Sequence, residues 1–210
     1  MIKVLIADDH PVVRRGLKNI LKEASDIEVA GEAGDGLEVL EKVRGEEYDV
    51  LILDLTMPKL DGLETIGRLK SEQPDLGILV LSMNPEEVFG MRALRLGASG
   101  YLSKDSAPEQ LITAIRRIAA GKVYVSEGLA ESLALNVSKG SPKMPHETLS
   151  DREYQIMLML ARGRSLKEIA AELSLSVKTV STHRTHILEK LNMENNAQIV
   201  TYALHNKLLS

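Results

Sequence analysis

The sequence predicts an open α/β domain built on a parallel five-stranded sheet, followed by a small all-helical domain. Three observations carry this. Over residues 1–120, short apolar runs alternate five times with amphipathic stretches, the pattern of parallel strands joined by right-handed helical crossovers. The alternation stops at a polar stretch, 136–145, that carries Gly140, Pro142 and Pro145; this reads as a linker within residues 121–147. Beyond Leu149 every hydrophobic pattern has the helical period, so residues 148–210 form the second domain.

Each element has a local reason. Residues 3–7 are an apolar run ended by Asp8 and Asp9, a strand rather than a targeting segment. Val12, Val13, Leu17, Ile20 and Leu21 share one side of a helix over 11–23. Residues 27–30 are a second strand. Asp35 caps a helix over 36–44, with Glu38 in the capping-box position. Residues 50–53, four apolar side chains in a row, are a strand buried on both faces. Pro58, Asp61 and Gly62 turn the chain into a helix over 63–71. Residues 78–81 form the fourth strand, and Asn84-Pro85 opens the next helix. Residues 101–102 form a short fifth strand. A capping box at Ser106 and Glu109 starts the helix that runs through Ala119, and a short helix is expected over 129–135.

In the second domain, Ser150 and Glu153 make a capping box with Leu149 as a hydrophobic staple, and Gly163 ends that helix. Ser165 and Glu168 open a helix to Leu173. Ser176 caps a third helix reaching Leu191, and a fourth covers 197–207.

Composition narrows the functional classes. There is no cysteine, hence no disulfide framework, thiolate metal site or cysteine nucleophile. No apolar run approaches the roughly 20 residues needed to cross a bilayer, so a soluble, cytoplasmic protein with no membrane partner is expected. Net charge is −4 but uneven: residues 148–210 carry 8 Lys+Arg against 6 Asp+Glu, and the rest of the chain carries 18 against 24. That asymmetry suggests different partners for the two domains.

Asp8 and Asp9 end the first strand and Asp54 ends the third. In a doubly wound, flavodoxin-like sheet these strands are neighbours, and their C-terminal ends open on one crevice. Three carboxylates there need positive charge among them. Mg²⁺, a hard ion that favours oxygen, suits the set. Ser82 ends the fourth strand and Lys104 follows the fifth, so both face the same crevice. Acids, a hydroxyl and a lysine suit a site that takes up a phosphoryl group, and carboxylates form acyl phosphates. An aspartyl-phosphate hydrolase is the enzymatic alternative. Such enzymes usually carry a second acid two residues after the nucleophile, where this chain has Thr56. The glycines at 31, 34 and 36 have the wrong order and place for a dinucleotide loop.

Asp8-Asp9, Asp54, Ser82 and Lys104, each at the end of its own strand, resemble the receiver domain of two-component response regulators across residues 1–120. The resemblance implies that Asp54 accepts phosphate from a sensor histidine kinase or a small phosphodonor. It implies that Asp8, Asp9, Asp54 and the backbone carbonyl of Thr56 hold Mg²⁺. Lys104 would pair with the phosphoryl oxygens, Ser82 would hydrogen-bond one of them, and Tyr101 would change rotamer in response. A proline commonly follows this lysine in the family; here it is Asp105.

On the helix over 177–191, Val177, Val180, Ile187, Leu188 and Leu191 form the stripe expected to be buried. Lys178, Ser181, Thr182 and Thr185 share another face that is short-chained and mildly basic. By spacing alone this is equally a solvated face or a DNA-reading one. The preceding helix is joined to it through Ser174-Leu175, which is a helix-turn-helix arrangement. His183 and His186 lie three apart, but no third metal ligand accompanies them.

Leu149-Ser150-Asp151-Arg152-Glu153, Ser165 to Ala170, Ser176 to Arg184, Ile187 and Lys190-Leu191 resemble the LuxR-type helix-turn-helix over 148–210. Joined to a receiver, this makes the chain similar to response regulators of the NarL/FixJ family. The resemblance implies a transcriptional regulator rather than an enzyme, binding double-stranded DNA as a homodimer. Ser181, Thr182 and Thr185 would lie against bases. Lys178, Thr179, His183, Arg184 and Lys190 would contact phosphates, and the last helix would form the dimer face.

Overall fold

The computed structural model describes residues 1–83, 86–106, 108–131, 144–173, 175–206 and 208–209. The chain divides into two compact units, Met1–Lys139 and Gly140–Ser210.

The first unit alternates β1 (Ile2–Ala7), α1 (Pro11–Leu21), β2 (Ile27–Ala33), α2 (Gly36–Gly45), β3 (Val50–Leu53), α3 (Gly62–Glu72), β4 (Gly77–Ser82), α4 (Glu86–Arg95), β5 (Gly100–Ser103) and α5 (Pro108–Ala119). All strand pairs are parallel, in the order β2-β1-β3-β4-β5. The chain reverses direction of winding at β1, so β1 and β3 lie side by side at the point where ligands enter such sheets. Side chains alternate across a strand. Val4, Ile6, Ile52, Leu79 and Leu81 meet Leu17 and Leu21 of α1 and Leu111, Ala114, Ile115 and Ile118 of α5 in one buried cluster. The intervening Leu5, Leu51, Leu53, Ile78 and Val80 are equally buried, beneath α2, α3 and α4. Each such side chain contributes about 1.5–3 kcal/mol by leaving water.

Several boundaries differ from the sequence expectation. Strand β2 runs to Ala33 rather than Ala30, because Gly31 and Glu32 still pair with Leu5 and Ile6 after a register shift at Val4/Leu5. Backbone pairing needs no apolar side chain, so hydrophobicity underestimates its length. For the same reason β4 and β5 each extend one residue at both ends. Helix α1 ends at Leu21. The expected cap at Asn84-Pro85, the cap position at Ala107, the end of the helix over 129–135 and the linker through Lys143 lie outside the described residues; 127–131 are helical.

The second unit opens with a 3₁₀ turn, Pro145–Thr148, and continues with α6 (Asp151–Ala161), α7 (Leu166–Glu172), α8 (Val177–Leu191) and α9 (Asn196–His205). Both predicted capping boxes form: Ser150 with Glu153, and Ser165 with Glu168. Gly163 takes φ +79° after α6, the left-handed conformation that stops a helix. Ser176 Oγ accepts from Thr179 N at 3.0 Å at the start of α8. Asn192, at φ 53°, ends it. Ser174, in the turn before α8, and Lys207, beyond α9, lie outside the described residues.

Candidate functional site

The acidic residues converge as their strand positions require. Asp8 is 2% exposed and Asp54 4% exposed. Lys104 Nζ bridges them, donating to Asp8 Oδ2 at 2.6 Å and Asp54 Oδ2 at 2.8 Å. Asp9 is partly exposed. Its Oδ1 is buried and accepts no hydrogen bond, although His10 Nδ1 lies 2.7 Å away. Ligand atoms of Asp8, Asp9, His10 and Asp54 all lie within 4.8 Å of one another. Ser82 is buried at the end of β4, and its carbonyl accepts from Lys104 N at 3.0 Å. Tyr101 is buried on β5.

Burial pushes the Asp54 carboxyl above its ordinary value, and nearby Asp8 adds to this; Lys104 and the backbone N–H of Thr56 pull the other way without cancelling it. Burial alone would lower Lys104, but the Asp54 and Asp8 carboxylates outweigh it and hold the ammonium above its ordinary value. Lys104 is therefore a resident counterion. Oxygen donors in this number, one of them lacking a hydrogen bond, fit a hard divalent cation.

Neighbouring residues hold the pocket in shape. Arg14 Nη1 donates to the carbonyl of Asp8 at 2.6 Å while its Nε donates to Glu32 at 3.1 Å. Lys59, at φ 63° in the loop after β3, pairs with Asp35 at 2.5 Å. That ties the loop beside Asp54 to the cap of α2. The Glu38 carboxylate accepts from Gly34 N rather than Asp35 N, so the expected capping box is displaced by one residue. Gly62 packs so tightly behind the site that a Cβ would meet the Asp54 carbonyl at 2.5 Å and Leu55 Cα at 2.6 Å. Arg14 and Lys59 escaped the sequence reading because isolated basic residues carry no pattern; their partners are set by packing.

In the second unit, Lys178, Ser181, Thr182 and Thr185 are exposed together on α8. Three other residues expected at DNA have partners inside the domain, and a fourth, His183, is half-buried. The Thr179 hydroxyl lies 2.8 Å from Ser176 Oγ. Arg184 Nε donates to Asn196 Oδ1 at 2.6 Å. Lys190 Nζ donates to Glu153 Oε2 at 2.7 Å, and Glu153 is 4% exposed. Burial, helped by Arg152, His186 and Lys190, lowers the His183 pKa against the opposing pull of Glu153. That shift disfavours the charged imidazolium in the isolated domain. Val177, expected in the core, is outside it at 44% exposed, and Leu204 on α9 is 61% exposed. Val177 has the right period but stands at the first helical position, at the end of the stripe.

The comparisons with known proteins agree with this division. Residues 4–116 match the Response regulator receiver domain family, and residues 147–203 match the Bacterial regulatory proteins, luxR family. The chain is similar to the oxygen regulatory protein NreC of Staphylococcus carnosus, with 41% identity over 99% of both chains. It is similar to RcsB of Salmonella enterica serovar Typhimurium bound to promoter rprA with the phosphomimetic BeF3-, at 30% identity and TM-score 0.64, covering 96% of this chain and 98% of that one. It also resembles RcsB solved as two dimers bound to two parallel DNAs, at 31% identity and TM-score 0.59, covering 96% of each chain. With both families matched in order and a relative similar from end to end, the chain belongs to the NarL/FixJ family of two-component response regulators.

Proposed function

We propose that this chain is a transcription regulator switched by phosphorylation of Asp54 and acting in the cytoplasm. The observation that carries the reading is the Lys104 ammonium bridging two buried carboxylates at the meeting point of β1, β3 and β5. A sensor histidine kinase is the proposed donor. Asp54 attacks its phosphohistidine phosphorus, the P–N bond breaks, the nitrogen leaves with its electron pair, and an acyl phosphate forms. Asp8, Asp9, Asp54 and the Thr56 carbonyl would hold Mg²⁺, which neutralises charge on the phosphoryl oxygens. Three carboxylates and one ammonium leave two negative charges, a balance that a divalent cation offsets. Lys104 then turns from Asp54 to a phosphoryl oxygen. Ser82 donates a hydrogen bond to another, and buried Tyr101 changes rotamer, biasing a two-state receiver.

The output is DNA binding. Lys178 neutralises phosphate, and Ser181, Thr182 and Thr185 face base edges. Thr179, Arg184 and Lys190 are assigned to holding α8 in place, while His183 remains a candidate phosphate contact. A homodimer reads two half-sites; the RcsB dimers on DNA support this, and exposed Leu204 on α9 offers it apolar area. The chain acts as a regulator rather than a turnover enzyme, so a generic phosphoester is not hydrolysed catalytically.

Phosphate-affinity electrophoresis with acetyl phosphate and Mg²⁺ tests the first step. The wild type is expected to shift and Asp54→Ala to stay put. Equal mobility of the two sinks the switch.

A further inference from the structure

The exposed face of α8 looks hydroxyl-rich in sequence, yet two of its hydroxyl protons are committed inside the helix. Thr182 Oγ1 donates to the Lys178 carbonyl at 3.1 Å, and Thr185 Oγ1 donates to the Ser181 carbonyl at 3.2 Å. Such back-bonding is what threonine does within a helix. Outward, each offers a methyl group and an oxygen lone pair. Val177, at the first helical position, exposes its isopropyl group, and Ser181 follows one turn along the same side. The N-terminal residues of a recognition helix are the ones that meet base edges. Among the base edges of the major groove, only thymine presents a methyl group. An exposed valine at that end therefore has one chemical complement.

We propose that Val177 contacts a thymine C5-methyl in each half-site, with the Thr185 methyl, further along the same i, i+4 row, extending the apolar strip. The inference rests on the DNA-binding reading above. It makes Val177 a specificity residue of α8, although periodicity assigned it to the core. Its contribution is sequence-dependent and insensitive to salt, unlike that of Lys178, which is uniform and salt-dependent.

The test uses the full-length protein with acetyl phosphate and Mg²⁺. A preferred site is first selected from random duplex DNA. Every thymine in it is then replaced, one at a time, by deoxyuridine, which keeps Watson–Crick pairing and removes only the methyl. Affinities are read by fluorescence anisotropy. One thymine per half-site is expected to cost the wild type about four-fold on replacement, the worth of one buried methyl. Val177→Ala should bind the thymine and uracil duplexes equally at that position. Val177→Thr, which keeps the shape and one methyl, should retain part of the discrimination and guards against a folding defect in the alanine variant. The proposal is overturned if no replacement affects the wild type, or if Val177→Ala discriminates as the wild type does. Failure to enrich or bind any duplex removes the DNA-binding reading itself. That outcome is distinct from binding DNA without sensing the methyl.

Discussion

Asp54 and Glu153 are both buried carboxylates that touch a lysine, yet their environments work in opposite directions. Burial and Asp8 raise Asp54 despite Lys104. Burial would raise Glu153 too, but Lys190 and the Ser150 donors outweigh it and lower its pKa. A raised carboxylate contributes stability only as it takes up its proton at acid pH, and its charge costs stability near neutrality. A lowered carboxylate contributes stability above its unfolded value of about 4.3, lost as pH falls through the folded value. Asp54→Asn is therefore expected to raise the receiver's Tm at pH 7, by roughly 4 °C for each kcal/mol recovered. Glu153→Gln is expected to destabilise the second domain by about 2 kcal/mol, the worth of its charged hydrogen bonds. Its urea-denaturation midpoint at pH 7 should drop, and the difference from wild type should fade below about pH 4. Only the Asp54 part of this contrast is visible in sequence, where a lone acid ends an apolar strand. Glu153 reads simply as a capping residue; its second partner, Lys190, is 37 positions away and meets it only once α6 and α8 pack.

At the scale of elements, ends are legible where a side chain does the ending. Ser150, Ser165 and Ser176 cap α6, α7 and α8 as their spacing predicts, because a cap is a local interaction between residues three apart. Strand ends are less legible. The last three residues of β2 are placed by pairing with β1, which sequence periodicity does not register. Glycines divide in the same way. Gly163 is needed for its backbone alone, since a Cβ there would have nothing within 4 Å. Gly62 is needed for space beside Asp54 and Leu55. Gly163→Ala should cost about 1 kcal/mol and leave phosphorylation intact. Gly62→Ala should cost more, because backbone must move, and should also slow Asp54 phosphorylation by acetyl phosphate. Chemical denaturation paired with the electrophoretic shift separates the two.

The whole molecule consists of two units with separate cores, and energy added to one should be measurable apart from the other. Mg²⁺ stabilises whatever state binds it. Calorimetry should show Mg²⁺ raising the receiver transition while leaving the helical unit unchanged, and Glu153→Gln should lower the helical transition alone. The charge asymmetry along the chain foreshadowed two kinds of partner, but an excess of two positive charges over residues 148–210 understates how they are arranged. Arg184 and Lys190 face inward partners, so Lys178 carries much of the outward charge on α8. DNA affinity should consequently show a shallow salt slope per protomer, checked by anisotropy across a range of NaCl concentrations.

The committed threonine hydroxyls and the inward lysine and arginine of α8 have a consequence for how such a protein can change over time. Lys178, Ser181, Thr182 and Thr185 are exposed, and the hydroxyls of the two threonines donate to carbonyls of their own helix. The anchors that hold α8, namely Val180, Ile187, Leu191, Arg184 and Lys190, lie elsewhere on its circumference. Target choice and foldedness are therefore written on different residues of one helix. A lineage can exchange the outward set one position at a time and acquire new promoters without passing through an unfolded intermediate.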